Sequence, residues 1–222
     1  MFSATPASPQ GDRLRSWIRR SPATAALVGA CIAVFVATGF DPDGRIFEAF
    51  AKIDERVRAG EIWRLFTASF LHAGIVHLWV NAASLASIGP PLERAYGRLK
   101  YAVVFLAGGA VGMAASVLLV PNPSVGASAG VFALLGALAA YALRFRGRLA
   151  PSVRRALIVR VLVIAGVNLG FGLLVRFVDN AAHVGGLAGG FAIAVLLNPK
   201  GSLFDPAMTR GPTPPPRPPP AP

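Results

Sequence analysis

Seven polar side chains stand inside otherwise apolar runs of this sequence, and their types suit acyl-transfer chemistry. They are His72, His77 and Asn81; Ser128; Asn168; and Asn180 with His183. All three histidines of the chain are among them. Ser128 lies in Val125-Gly126-Ala127-Ser128-Ala129-Gly130, just after Pro121-Asn122-Pro123, where a helix is expected to open. A helix N-terminus offers free N–H groups and the positive end of the helix dipole. Both would stabilise an oxyanion formed beside a nucleophilic serine. The same string reads G-x-S-x-G, but the hydrolase turn of that pattern requires a preceding strand, and an apolar span precedes this serine. Taken alone, the string equally fits a close contact between membrane helices.

His183 adds a candidate general base. Gly186 and Gly190 follow it at i+3 and i+7, so its face carries no side chain there and another helix can approach closely. A hydrogen-bonded packing histidine is the bland alternative. His77 and Asn81, four residues apart, share one helix face and supply hydrogen-bond donors. A metal site does not fit. His72 and His77 are five apart with no carboxylate after His72, and Cys31 is the single cysteine, so neither a zinc motif nor an internal disulfide is available. No cofactor is called for. His72 reads as structural, bonding first-loop backbone.

The positioning elements follow from composition. Of 222 residues, 54% are hydrophobic and only 14% charged, and mean hydropathy is +0.57. Soluble domains carry roughly 25% charge. Disorder of the body is excluded by the apolar content. Nucleic-acid binding is excluded because it needs a polar, basic face. The chain reads as an all-α integral membrane protein. Charge-free runs at 21–40, 65–92, 101–143 (broken at the Pro-Asn-Pro), 156–175 with Arg160 at the interface, and 180–199 give six expected spans. They are too long and uniformly apolar for barrel strands. Residues 1–20 form a basic N-terminal segment, 21–199 the six-span domain, 41–64 a charged first loop folded onto the membrane surface, and 200–222 a Pro-rich tail. Gly211–Pro222 holds eight prolines, which suits either a solvated tail or a ligand for a proline-reading domain.

The net charge of +12 is an address. With six spans, both termini and the second-to-third and fourth-to-fifth loops share a side bearing sixteen basic and three acidic residues, a net +13. The opposite side carries six basic and seven acidic residues, a net −1. Basic loops stay inside, so both termini are expected in the cytoplasm. His77, Asn81, Ser128 and His183 then lie in the outer parts of spans two, four and six, at similar depth.

In this order, Glu61-Ile62-Trp63-Arg64, His72 with His77-Leu78 and Asn81, Gly126-Ala127-Ser128, and Ala182-His183-Val184-Gly185-Gly186 with Gly190 resemble the rhomboid intramembrane serine proteases. The resemblance covers roughly Pro22 to Asn198. It implies a six-helix bundle in which Ser128 is the nucleophile and His183 the general base. His77 and Asn81, with the Ser128 N–H, would form the oxyanion hole. Trp63 and Arg64 match a structural pair of the first loop. Phe132 stands where an aromatic often stacks on the histidine, and Gly126 and Gly186 support the site. Two positions depart from the family pattern: Ala129 follows the serine where glycine is usual, and Val178 replaces a common glycine. No polar match is lost.

The resemblance implies hydrolysis of peptide bonds in single-span membrane proteins, within the lipid bilayer, by a Ser–His dyad. The compact six-span form points to a bacterial plasma membrane, with the site toward the outer side. Asp179 reads as the N-cap of span six rather than a third catalytic member. Span five and the loop after it, with Phe171 and Phe177, are a candidate gate. Two other readings are a rhomboid-fold protein that binds membrane clients without cutting them, and a small transporter. The first expects a missing serine or histidine, and the second expects inverted repeats. Neither feature is present. The orientation has a direct check: a topology reporter fused after Gly60 will report the outer side, and a cytoplasmic signal there overturns it.

Overall fold

The computed structural model describes residues 9–39, 44–175 and 177–204. The tail Gly211–Pro222, and the loop charges Asp41, Asp43 and Arg176, lie outside the described residues. Helices follow in the order α1 (Pro9–Arg20), α2 (Pro22–Ala37), α3 (Arg45–Phe50), α4 (Asp54–Arg58), α5 (Arg64–Thr67), α6 (Ile75–Tyr96), α7 (Arg98–Leu119), α8 (Ser128–Arg144), α9 (Pro151–Leu174) and α10 (Asn180–Leu196). A 3₁₀ turn, Ala68–Phe70, extends α5. Among the described residues the fold is all-helical; its extended pairing is one isolated bridge between Lys52 and Ser124.

α8 is the axis of the bundle. Nearly all of its positions are buried, and it packs most extensively against α10, then α7. The approach is close because the contact faces lack side chains. Gly190 lies against the backbone of Ala133, Gly186 against that of Ala129, and Gly136 against Leu187 and Phe191. Gly108 and Gly112 of α7 complete the three-helix contact, with Gly112 facing Gly186 and Ala129. Lipid tails are as apolar as leucine, so helix association in a bilayer rests on such close van der Waals packing. α9 is the opposite case: along its length only Val161 and Ala165 are fully buried.

α7 and α9 are each long and apolar enough to cross a bilayer. α1–α2 and α5–α6 are two further candidates, as pairs bent by 110° and 97°. The buried carboxylate of Glu93, near the end of α6, stitches the first of these into the bundle. It accepts from the Ala23 and Thr24 N–H groups at 2.9 and 2.8 Å and from Thr24 Oγ1 at 2.8 Å. A distant side chain thus satisfies the free N–H groups of α2 and meets its positive dipole end.

Charge-free length misplaces two elements. The run 65–92 is not one helix. Leu71 and Gly74 take extended backbone, so α6 begins at Ile75, and it continues through Glu93 to Tyr96. α9 begins at Pro151 and takes in Arg154, Arg155 and Arg160. The absence of charge reports an apolar environment, whereas a helix ends where backbone conformation or capping ends it.

The glycine contacts can be tested by one methyl group. Gly190→Ala forces α8 and α10 apart and will lower the thermal midpoint in detergent, by a destabilisation of about 1–3 kcal/mol. Gly166→Ala in α9, whose added methyl meets nothing within 4 Å, will leave the midpoint unchanged or slightly raised.

Candidate active site

Ser128 is the first residue of α8 and is half-buried. The stretch of chain leading to it is held by three backbone hydrogen bonds. Lys52 and Ser124 exchange two backbone hydrogen bonds at 3.1 and 2.9 Å. The Gly126 N–H donates to the Ala68 carbonyl at 2.9 Å. Gly126 has φ of +122°, a left-handed conformation that glycine adopts without strain. A Cβ there would also sit 2.7 Å from His77 Cε1 and Nε2 and 3.8 Å from Asn81 Nδ2. The His77 ring therefore covers Gly126, two residues before the serine, and Asn81 stands behind it.

The sequence pair on α6 is thus brought to the start of α8. Asn81 is buried, and its Nδ2 donates to the His77 carbonyl at 2.9 Å, which leaves a second amide hydrogen. His72 is buried in the turn before α6. Its Nδ1 faces the Phe70 carbonyl at 3.3 Å, and its ring meets that of His77 edge-on with centroids 5.1 Å apart. Its partner is the adjacent turn rather than the first loop.

His183 lies in the first turn of α10, and its ring stacks on Phe132 with centroids 4.2 Å apart and planes 4° from parallel. Phe132 is one turn beyond Ser128, and Gly186, one turn beyond His183, touches Ala129. The stack and the glycine contact fix the histidine beside the opening turn of α8. Its Nδ1 is buried and has no hydrogen-bond partner among the described residues. No hydrogen bond joins Ser128 to His183 among the described residues. Bonds of this kind commonly tighten only once substrate is bound.

Asp179 caps α10 as the sequence indicates: Oδ1 accepts from the Ala182 N–H at 2.9 Å, and Oδ2 accepts from buried Ser116 on α7. Each of its oxygens thus has a hydrogen-bond partner other than the histidine ring. Asn180 donates to the Leu169 carbonyl at 3.1 Å, tying α10 to α9, while Asn168 bonds back to Ile164 within its own helix. Among described His, Cys, Asp and Glu side chains, no group of three is placed to hold a metal ion.

Trp63 and Arg64 part company. Trp63 is 50% exposed, whereas Arg64 is buried. Arg64 pairs with Glu61 at 2.6 Å and donates to the Glu48 and Ala51 carbonyls at 2.7 and 2.9 Å, binding α3, the turn after α4 and α5 into one piece. Two further anchors are not evident in the sequence. Lys52 is fully buried, pairs with Asp54 at 2.6 Å and donates to the Asn122 carbonyl at 2.7 Å. Arg58 donates to Val117 at 2.6 Å. Their one signal is their place among the loop charges, where surface solvation is the ordinary expectation.

A rhomboid-domain family model matches residues 59–200, which contain His72, His77, Asn81, Ser128, Phe132 and His183 but not Lys52 or Arg58. The chain is 42% identical over 155 residues to the rhomboid protease GluP of Bacillus subtilis, covering 69% of this chain and 30% of that protein. It is 41% identical over 142 residues to RHOMBOID-like protein 7 of Arabidopsis thaliana, covering 64% of this chain and 44% of that one. It is also 39% identical over 127 residues to the same plant's inactive RHOMBOID-like protein 8, covering 57% and 35%. The chain thus spans from under a third to under a half of the length of these relatives. Bundle, glycine contacts and family match together define a helical integral membrane protein. The chain belongs to the rhomboid family.

The first loop is the testable support. Arg64→Ala removes three hydrogen bonds from a buried guanidinium and will destabilise the loop by about 2–3 kcal/mol. Limited proteolysis will then cut within 44–63 faster than in the unaltered protein.

Proposed function

We propose that this protein is an intramembrane serine protease in which Ser128 and His183 form the catalytic dyad. The observation that carries the reading is the convergence of α6, α8 and α10. His77 and Asn81 close on Gly126, and His183 is stacked on Phe132 one turn from the serine. In the reaction His183 takes the hydroxyl proton as Ser128 Oγ attacks the scissile carbonyl carbon. The resulting oxyanion is held by the Ser128 N–H, the Asn81 amide and the His77 ring. Collapse expels the amine, which receives the proton from His183, and leaves an acyl-serine ester. Water, deprotonated by the same imidazole, then hydrolyses the ester and restores the serine.

Six spans with both termini in the cytoplasm suit this chemistry. α8 has 17 residues, about 25 Å at 1.5 Å per residue, against a hydrocarbon core of about 30 Å. A central helix shorter than the bilayer is sheathed by its neighbours. It begins below the outer surface, so a peptide bond of a single-span substrate meets Ser128 inside the membrane boundary. Irregular backbone at that depth, such as residues 120–127, is tolerated where protein and a wet cavity surround it. The bacterial plasma membrane is the proposed location.

A non-proteolytic client-binding role is the second reading, favoured by the similarity to a relative named inactive. One experiment separates the two. Detergent-solubilised protein incubated with a tagged single-span substrate will yield fragments that Ser128→Ala does not yield, and a fluorophosphonate will label the unaltered chain alone. Asn81→Ala will slow cleavage by about 10²–10³-fold, the usual loss for one oxyanion donor. Identical fragments from the unaltered and Ser128→Ala proteins, or labelling that persists in Ser128→Ala, overturn the proposal.

A further inference from the structure

A second site lies at the opposite end of the molecule from the serine. α1 turns 110° away from α2, so where α2 crosses a bilayer α1 lies along its surface. On α1, Leu14 and Ile18 project side by side and are exposed, 57% and 43%. The flank bearing Arg13, Ser16, Trp17 and Arg20 faces instead the last turns of α6. Between them is a cavity of about 520 Å³, lined by these four residues with Asp12, Ser21, Pro90 and Arg94. Three guanidinium groups against one carboxylate leave the cavity at +2.

Most of the guanidinium donors are uncommitted. Arg13 and Arg20 are exposed and make no hydrogen bond or ion pair among the described residues. Arg94 donates one N–H to the Leu203 carbonyl at 3.0 Å, which holds its side chain while other donors stay free. Guanidinium matches phosphate oxygens in geometry as well as charge. An in-plane helix with an apolar face and a basic flank is the form that binds anionic lipid surfaces.

We propose that this cavity binds the phosphate of an anionic phospholipid, held by Arg13, Arg20 and Arg94 beneath the Trp17 indole. The acyl chains lie alongside Leu14 and Ile18. The lipid then cements α1 to the end of α6. The site is independent of Ser128 and stands whether or not the protein cleaves peptides.

Native mass spectrometry of the detergent-purified full chain measures the site directly. Dioleoylphosphatidylglycerol is expected to bind at least tenfold more tightly than dioleoylphosphatidylcholine. Arg13→Gln/Arg20→Gln will reduce that preference to within about threefold. Arg15→Gln/Arg19→Gln, which removes the same charge from the other flank of the same helix, will keep it. An equal loss in both variants would mean diffuse helix charge and overturns the proposal, as does a full preference in the first. Full displacement by millimolar sodium phosphate would make the ligand a free anion and also overturns it. Both pairs are exposed, and equal thermal midpoints of the variants in phosphatidylcholine micelles verify that folding is intact.

Discussion

Backbone meets backbone where α8 and α10 cross, and most of the architecture follows from that contact. Gly136, Gly186 and Gly190 give up side-chain packing so that two helices approach to the distance of their main chains. The cost of glycine in a helix, about 1 kcal/mol each relative to alanine, is met by dispersion contacts that no bulkier residue permits here. The same glycines decide where the polar residues stand. Because Gly186 touches Ala129, His183 is carried to the first turn of α8 and no further. The geometry of the candidate site is thus a by-product of helix spacing.

A second constraint acts at the helix ends. An apolar medium leaves unpaired N–H and C=O groups without water, so each end must find a partner within the protein. Glu93 serves the start of α2, Asp179 the start of α10, and Lys52 the carbonyls after α7. Each partner is charged, and its removal would leave one or two backbone groups unmet. This accounts for buried charges in a chain with so few of them. They hold the stretches where helices stop, and the serine follows one such stretch.

The candidate site was legible in the sequence because its residues are exceptions to their surroundings. A histidine or asparagine in an apolar run has few structural excuses, so His77, Asn81 and His183 stood out by type alone. Phe132 was legible through family resemblance, since one more phenylalanine among fourteen carries no signal of its own. The helix limits near residues 71–74 were not legible. The apolar run passes through the bend unbroken, and the bend is set by the backbone of Leu71 and Gly74. Lys52 and Arg58 escaped for the converse reason. A charge in a charged loop looks solvated, and only tertiary structure shows that each reaches the end of α7.

Those two loop cations join residues far apart in the chain. Lys52 bonds Asn122 seventy positions later, and Arg58 bonds Val117 fifty-nine later. A ribosome releases the loop long before it makes those partners, and non-local contacts form only after their loop-closure entropy is met. The first loop is therefore made early and finished late. Until α7 and the stretch before Ser128 emerge, Lys52 has no carbonyl to reach, and the approach to the serine is unframed. The order of synthesis thus leaves the candidate site unassembled until most of the bundle exists.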